Sequence, residues 1–202
     1  MKSSLVLLVA LVPTLAACHG DPKVVVRASM EEGATAGIED LPVRLLPYDR
    51  DAILDSLRAK SRVPEPQVPA DLVQQMQSLP GLEQQARARG DTAVTRFQAF
   101  RRVVLARADS MRAARKAWAD KTYARFDEKA VAALANSGEP EQADTTDASG
   151  TATFRAKEGR RWVYARYTLP YSELYWNVPV EVTGDSTVVR LTRANAKEKP
   201  AL

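Results

Sequence analysis

Residues 50–138 contain no stretch that reads as a β-strand, yet strand patterns stand on both sides of them. On the N-terminal side these are Val24-Val25-Val26 and then Leu41 to Pro47 around a Gly/Glu/Ala-rich loop. On the C-terminal side they are Thr151 to Phe154, Arg161 to Thr168, Leu174 to Val182 and Thr187 to Thr192. Alternating apolar and polar residues mark a half-buried strand, whereas the Ala-, Arg-, Gln- and Leu-rich middle has helical character. A parallel βαβ sheet would alternate single strands with single helices. Blocks of strand, helix and strand instead imply an α+β chain, a β domain over 24–49 and 144–193 interrupted by a helical insertion over 50–143. Residues 194–202 are expected to be a tail.

The insertion carries its own punctuation. Asp49 is placed to cap a short helix bearing Ile53, Leu54 and Leu57. Pro64, Pro66 and Pro69 enforce an extended connector. A helix then starts near Ala70 with Leu72, Met76 and Leu79 on one face, and Pro80-Gly81 is expected to kink or break it. Gly90-Asp91 ends that element, with Asp91 as the next cap. No Pro or Gly intervenes until the stop at Asn136-Ser137-Gly138, which predicts one helix of 45 residues, about 67 Å long. Phe97, Phe100, Val104, Ala108, Met111 and Trp118 form a narrow stripe along it. Paired with Leu72, Met76, Leu79 and Leu82, this stripe makes an antiparallel helical hairpin, followed by a stretch that packs differently.

The first residues carry an address. Met1-Lys2-Ser3-Ser4 precedes an apolar run from Leu5 to Ala17, the pattern of a secretory signal. That run is shorter than the roughly 20 residues a membrane-spanning helix needs. Leu15-Ala16-Ala17-Cys18 closely resembles the bacterial lipobox. The resemblance implies removal of residues 1–17 and attachment of acyl chains to Cys18. Residues 18–23 would then form a lipidated tether, with a span from His19 to Lys23 of at most about 18 Å. A residue other than Asp after the Cys implies delivery to the outer membrane, under the sorting rule of enterobacteria.

Cys18 and His19 are the only Cys and His of the 202 residues. The body of the chain therefore offers no disulfide framework, no Cys-rich zinc module and no His-dependent catalytic triad. Gly-rich phosphate loops, the Gly-x-Ser-x-Gly elbow and His-Glu-x-x-His are absent as well. No cofactor, metal or catalytic residue is expected.

The run Thr145-Thr146-Asp147-Ala148-Ser149-Gly150-Thr151-Ala152-Thr153-Phe154 resembles the hairpin of the carboxypeptidase regulatory-like, or transthyretin-like, β-sandwich family. Gly159 and Trp162-Val163-Tyr164-Ala165 continue the likeness. Asp147 is suited to bond the backbone two residues on, and Gly150 to adopt a positive φ. Phe154, Val163, Ala165 and Tyr167 alternate toward one core, joined by Trp176, Val178, Val180, Val182, Val189 and Leu191. The resemblance implies an antiparallel sandwich of structural, adhesive or carbohydrate-associated type, with no common catalytic residues. The family joins its strands tightly, so it does not account for the insertion.

Charge supplies the remaining candidates. Residues 87–125 hold eleven basic and three acidic side chains, a net +8, which leaves −5 for the rest after the signal. Nucleic acid is excluded as a partner by the address. Arg101, Arg102, Arg112, Arg115 and Lys116 are the candidate contacts for an anionic glycan or lipid, or for an acidic envelope protein; the plainer reading is a solvated helix surface. Tyr171, Tyr175 and Trp176 are candidates for stacking on sugar rings, against a packing role. Glu139, Glu141, Asp144 and Asp147 lack an EF-hand's spacing, and Asp49, Asp51 and Asp55 suit capping better than acid–base work. The expected function is that of a lipid-anchored, non-catalytic binding or scaffolding module whose helical arm meets a partner. A glycan- or lipopolysaccharide-binding module is the alternative.

Overall fold

The computed structural model describes residues 20–170 and 172–200, so Cys18, His19 and Tyr171 lie outside the described residues. The described residues are α+β, with four α-helices and two open sheets among them. The smaller sheet has β1 (Lys23–Ala28) at its centre, between β4 (Thr151–Arg155) and β7 (Ser186–Leu191). β1 runs antiparallel to β4 and parallel to β7. The larger sheet has the order β3–β2–β5–β6–β8, all antiparallel. Its strands are β2 (Pro42–Leu46), β3 (Gln142–Thr145), β5 (Gly159–Thr168), β6 (Ser172–Val182) and β8 (Lys197–Pro200).

Alternation explains how both sheets share one core. Val24, Val26 and Ala28 point inward from β1, as do Val43 and Leu45 from β2 and Val163 and Ala165 from β5. Phe154, Trp176, Val182 and Leu191 complete the interior, with Tyr167 and Val178 packed at its margin. Trp176 is 0% exposed, and its indole N–H donates to the Thr192 carbonyl (2.9 Å) and Asn195 Oδ1 (3.0 Å). The polar handle of a large buried ring is thereby satisfied.

The turn of residues 146–150 holds the two sheets' strands in place. Asp147 Oδ1 accepts from the Ser149 and Thr151 N–H groups, at 2.8 and 3.0 Å. The Ser149 hydroxyl is the main cause of the Asp147 carboxyl lying below its usual range. Buried Thr146 accepts from Leu41 N (2.9 Å) and donates to the Ile38 carbonyl (2.6 Å), stapling the 29–41 loop to this turn. The approach is close: a Cβ on Gly150 (φ 75°) would sit 2.3 Å from the Ala28 carbonyl, and one on Gly37 2.2 Å from the Ser149 carbonyl.

The helices occupy residues 50–137, between β2 and β3. α1 (Arg50–Arg58) is capped as anticipated, Asp49 accepting from Asp51 N (2.9 Å) and Ala52 N (3.2 Å). α2 (Ala70–Arg89) and α3 (Asp91–Thr122) form the hairpin, joined at Gly90. Leu72 and Leu79 pack on Val104 and Ala108, with Met76, Phe97 and Met111 alongside. Arg107 bridges back to Gln75 (3.0 Å) and Asp71 (2.9 Å), which fixes the antiparallel register. No helix of the described residues is long and apolar enough to cross a membrane.

Several expectations require correction. Of the kink or break expected at Pro80-Gly81, the break does not occur: α2 runs on through Pro80, its Leu79 held in the hairpin seam. Gly90, not Asp91, is the residue that precedes α3. Phe100 lies outside the seam and is exposed. The single 45-residue helix is two, because the chain breaks at residues 123–125 before α4 (Phe126–Ser137). The cause is tertiary. The Tyr123 ring meets Trp118 edge-on at 5.5 Å, and its hydroxyl accepts from Arg58 (3.1 Å). Phe126 turns toward the sheet, where the Arg50 guanidinium stacks between it (4.3 Å) and Tyr164 (4.8 Å). The expected tail is also different: residues 197–200 form the edge strand β8.

α1 is clamped to the larger sheet by polar contacts. Tyr175 OH and Lys197 Nζ both donate to Asp51, at 2.5 Å each, and Asn177 Nδ2 donates to Asp49 at 2.8 Å. Partial burial acts to raise the Asp51 pKa. The Lys197 and Tyr175 hydrogen bonds and the Lys197 and Lys199 charges outweigh it and hold the carboxyl below its ordinary value. Burial, then the Asp51 hydrogen bond, pushes the Tyr175 phenol up.

Two predictions follow from these joints. Gly150→Ala combines a positive φ with a backbone clash and is expected to cost about 2 kcal/mol or more. Thermal melting should fall by roughly 4–8 °C; an unchanged Tm would mean the turn is not held closely. Asp51→Ala removes charged hydrogen bonds worth about 2 kcal/mol. A carboxyl with a depressed folded pKa stabilises above its unfolded value and loses that contribution as pH falls through the folded one. Melting against pH should therefore show the gap between the native chain and Asp51→Ala fully open at pH 7 and closing below about pH 4.

Candidate functional site

Two hollows flank α3 where it meets the extended connector of residues 59–69. The connector is held by Pro64, Pro66 and Pro69 and by one indole: Trp118 Nε1 donates to the Val63 carbonyl at 2.8 Å. Ser61 Oγ also donates to the Val63 carbonyl (2.8 Å), and Thr122 Oγ1 donates to Ser61 Oγ (3.4 Å). Trp118 is 9% exposed, so it forms a wall between the hollows rather than part of the hairpin seam.

The first hollow, about 450 Å³, lies between α3 and the larger sheet's edge and gathers Arg112, Arg115 and Lys116. Arg58, Arg166 and Lys199 bring further positive charge. Carboxylates answer nearly all of it. Arg115 pairs with Glu65 (3.2 Å), Lys116 with Asp120 (2.6 Å), Arg112 with Asp109, and Arg58 with both Asp55 (2.8 Å) and Glu65 (3.8 Å). Arg166 donates to Glu173 through Nε at 3.0 Å, and that hydrogen bond is the main reason its pKa is raised. Partial burial lowers the Arg58 pKa, but Tyr123, Glu65 and Asp55 together raise it. The hollow is lined by ion pairs that run within α1, within α3, within the sheet, and from the connector to α1 and α3. Arg101 and Arg102 line neither hollow and stand exposed on α3.

The second hollow is larger, about 710 Å³, and differently made. An apolar patch, hereafter its floor, is formed by Leu57, Val63, Pro66, Ala114, Ala117 and Trp118. Its rim carries Lys60, Arg62, Lys121, Arg125 and Lys129, and no carboxylate lines it. Arg125 is held by Glu128 through two bonds of 2.6 and 2.8 Å, which raise the Arg125 pKa and lower that of Glu128. Among the described residues, no carboxylate lies within 4 Å of the other four cations. Like charges around a low-dielectric concavity focus a positive potential into it.

Lys121 and Arg125 belong to the basic run visible in sequence, but Lys60, Arg62 and Lys129 lie outside it. The four-residue spacing of Lys121, Arg125 and Lys129 was the available signal. Nothing local announces that Lys60 and Arg62 fold back against that face, since Trp118 and the prolines bring them there.

Of the aromatic candidates, Tyr175 and Trp176 are described, and both are placed as packing residues. Trp176 is at the centre of the core, and Tyr175 is 7% exposed, beneath Asp51 and with Lys199 Nζ 5.1 Å from its ring. Neither offers a free face to a sugar. The acidic residues are engaged in structure. Asp144 accepts from Thr145 N (2.8 Å) and Thr153 N (2.9 Å), Glu139 pairs with Lys157 (3.0 Å) and Glu141 with Arg44 (2.8 Å). Asp49, Asp51 and Asp55 point to three different partners, so they form no facing pair. Among the described residues, no group of three or more His, Cys, Asp or Glu is arranged to hold a metal ion.

No known protein-family model, no curated protein and no solved structure matches the chain.

Proposed function

We propose that the chain is a bacterial cell-envelope lipoprotein, anchored through Cys18, that acts as a non-catalytic binding or scaffolding module for an anionic envelope component. In this reading the two sheets are a transthyretin-like sandwich, and the helical insertion is the arm through which the partner is met. The carrying observation is the second hollow, with five cations at its rim and no carboxylate in its lining. Surface cations normally stand among acids, as Arg112, Arg115 and Lys116 do. A concavity with only one sign of charge is the complement of an acidic protein segment, an acidic glycan or a phosphorylated lipid. Outer-membrane delivery, with the lipid anchor keeping the body near the bilayer, supports this class of partner over nucleic acid.

The site is tested by charge reversal. Lys60→Glu combined with Lys121→Glu should weaken retention on an immobilised polyanion about tenfold, at roughly 0.5–1 kcal/mol per exposed charge interaction. Arg101→Glu with Arg102→Glu, of equal charge change on the open face of α3, should leave retention near the native level. Equal losses from both pairs would mean diffuse attraction and no site. Lipidation is tested separately: Cys18→Ser should abolish partitioning into the detergent phase.

A further inference from the structure

The lining of the second hollow is of two chemical kinds. Positive charge is carried by Lys60, Arg62, Lys121, Arg125 and Lys129, beside an apolar floor of Leu57, Val63, Pro66, Ala114, Ala117 and Trp118; the Ser61 and Thr122 hydroxyls are bonded to the Val63 carbonyl and to Ser61 Oγ. The one indole N–H near the floor is already spent on the Val63 carbonyl (2.8 Å). Ala114 and Ala117 present only methyl groups, which leaves room above them, and Val63 remains 53% exposed. A wholly hydrophilic anion held by the cations would leave this apolar surface uncovered. An apolar body, by contrast, would cover Leu57, Val63, Pro66 and the Trp118 face. At about 710 Å³, the hollow lies within the roughly 300–1,000 Å³ typical of small-molecule sites.

We infer that this hollow binds one molecule of an amphipathic anion, its acyl or alkyl body on the Leu57–Val63–Ala114–Ala117–Trp118 floor and its phosphate or carboxylate head among the rim cations. The inference rests on the anion-binding function proposed above and assigns the ligand its second half. The occupant is a single-chain amphiphile taken up as a monomer. The four rim cations with no carboxylate within 4 Å select the head, and the floor selects the chain.

The test uses the full chain carrying Cys18→Ser, so that no attached acyl group competes, and titrates it calorimetrically with three probes below any micellar concentration. Octyl phosphate should saturate one site, with octyl glucoside and tripolyphosphate each at least tenfold weaker. Ala114→Gln with Ala117→Gln, an exchange at two exposed positions that leaves the charge unaltered, should lower octyl phosphate affinity at least tenfold and leave tripolyphosphate binding unchanged. Octyl phosphate binding no more tightly than tripolyphosphate would overturn the amphiphile while leaving anion binding standing. Octyl glucoside binding as well as octyl phosphate, or no binding by either anion, would overturn both.

Discussion

The pairing of β2 with β3 is the constraint on which the rest of the molecule depends. Leu45 faces Gln142 in register, so the chain leaves the sheet and returns to it at the same point. Everything between is formally the loop of a β-hairpin, with four helices in place of a tight turn. Loop-closure entropy grows only logarithmically, so a connection of some 95 residues costs about 3 kcal/mol more than one of four. The shared core of the two sheets and the Thr146 staple beside β3 offset that cost. The sheet framework thus tolerates a large excursion without any change in its own register.

The excursion is steered by a few aromatic and arginine contacts. Arg50, at the exit, stacks between Tyr164 of the sheet and Phe126 of α4, although its Nε is buried without a hydrogen-bond partner. Two ring faces take the place of that bond for the guanidinium. Asp51 and Asp49 then bind β6 and β8, fixing the direction of α1. Trp118 performs the corresponding task further out, where it holds the proline connector against α3 and so shapes both hollows. The hairpin beyond has only its own seam and stands away from the sheets' shared core.

The extent to which the sequence was readable follows the range of the interactions involved. The strands from Thr151 to Leu191 were legible because alternation is local and the core demands it. The Asp49 cap, the Asp147 turn and the α2–α3 seam were legible for the same reason. β8 was not, since Lys-Glu-Lys-Pro has no apolar alternation and its place rests on main-chain pairing and the Lys197–Asp51 contact. The break after Thr122 was hidden because two of its causes, Arg58 and Arg50, come from elsewhere in the chain. The site was half legible. Composition marked α3 as basic, but the carboxylates that answer Arg112, Arg115 and Lys116 lie partly on the connector, which also contributes Lys60 and Arg62.

The position of β1 bears on how the molecule meets mechanical load. The first strand of the fold lies between β4 and β7, hydrogen-bonded along both sides. Tension drawn along the strand from Lys23 would not peel bonds away one at a time, as it would from a sheet edge. It would load both ladders together in shear, and β1 could slip only if the two neighbours released at once. Attachment to a surface through the residues before Lys23 would therefore pull on the most firmly gripped strand of the smaller sheet, and leave the helical arm outside the path of the force.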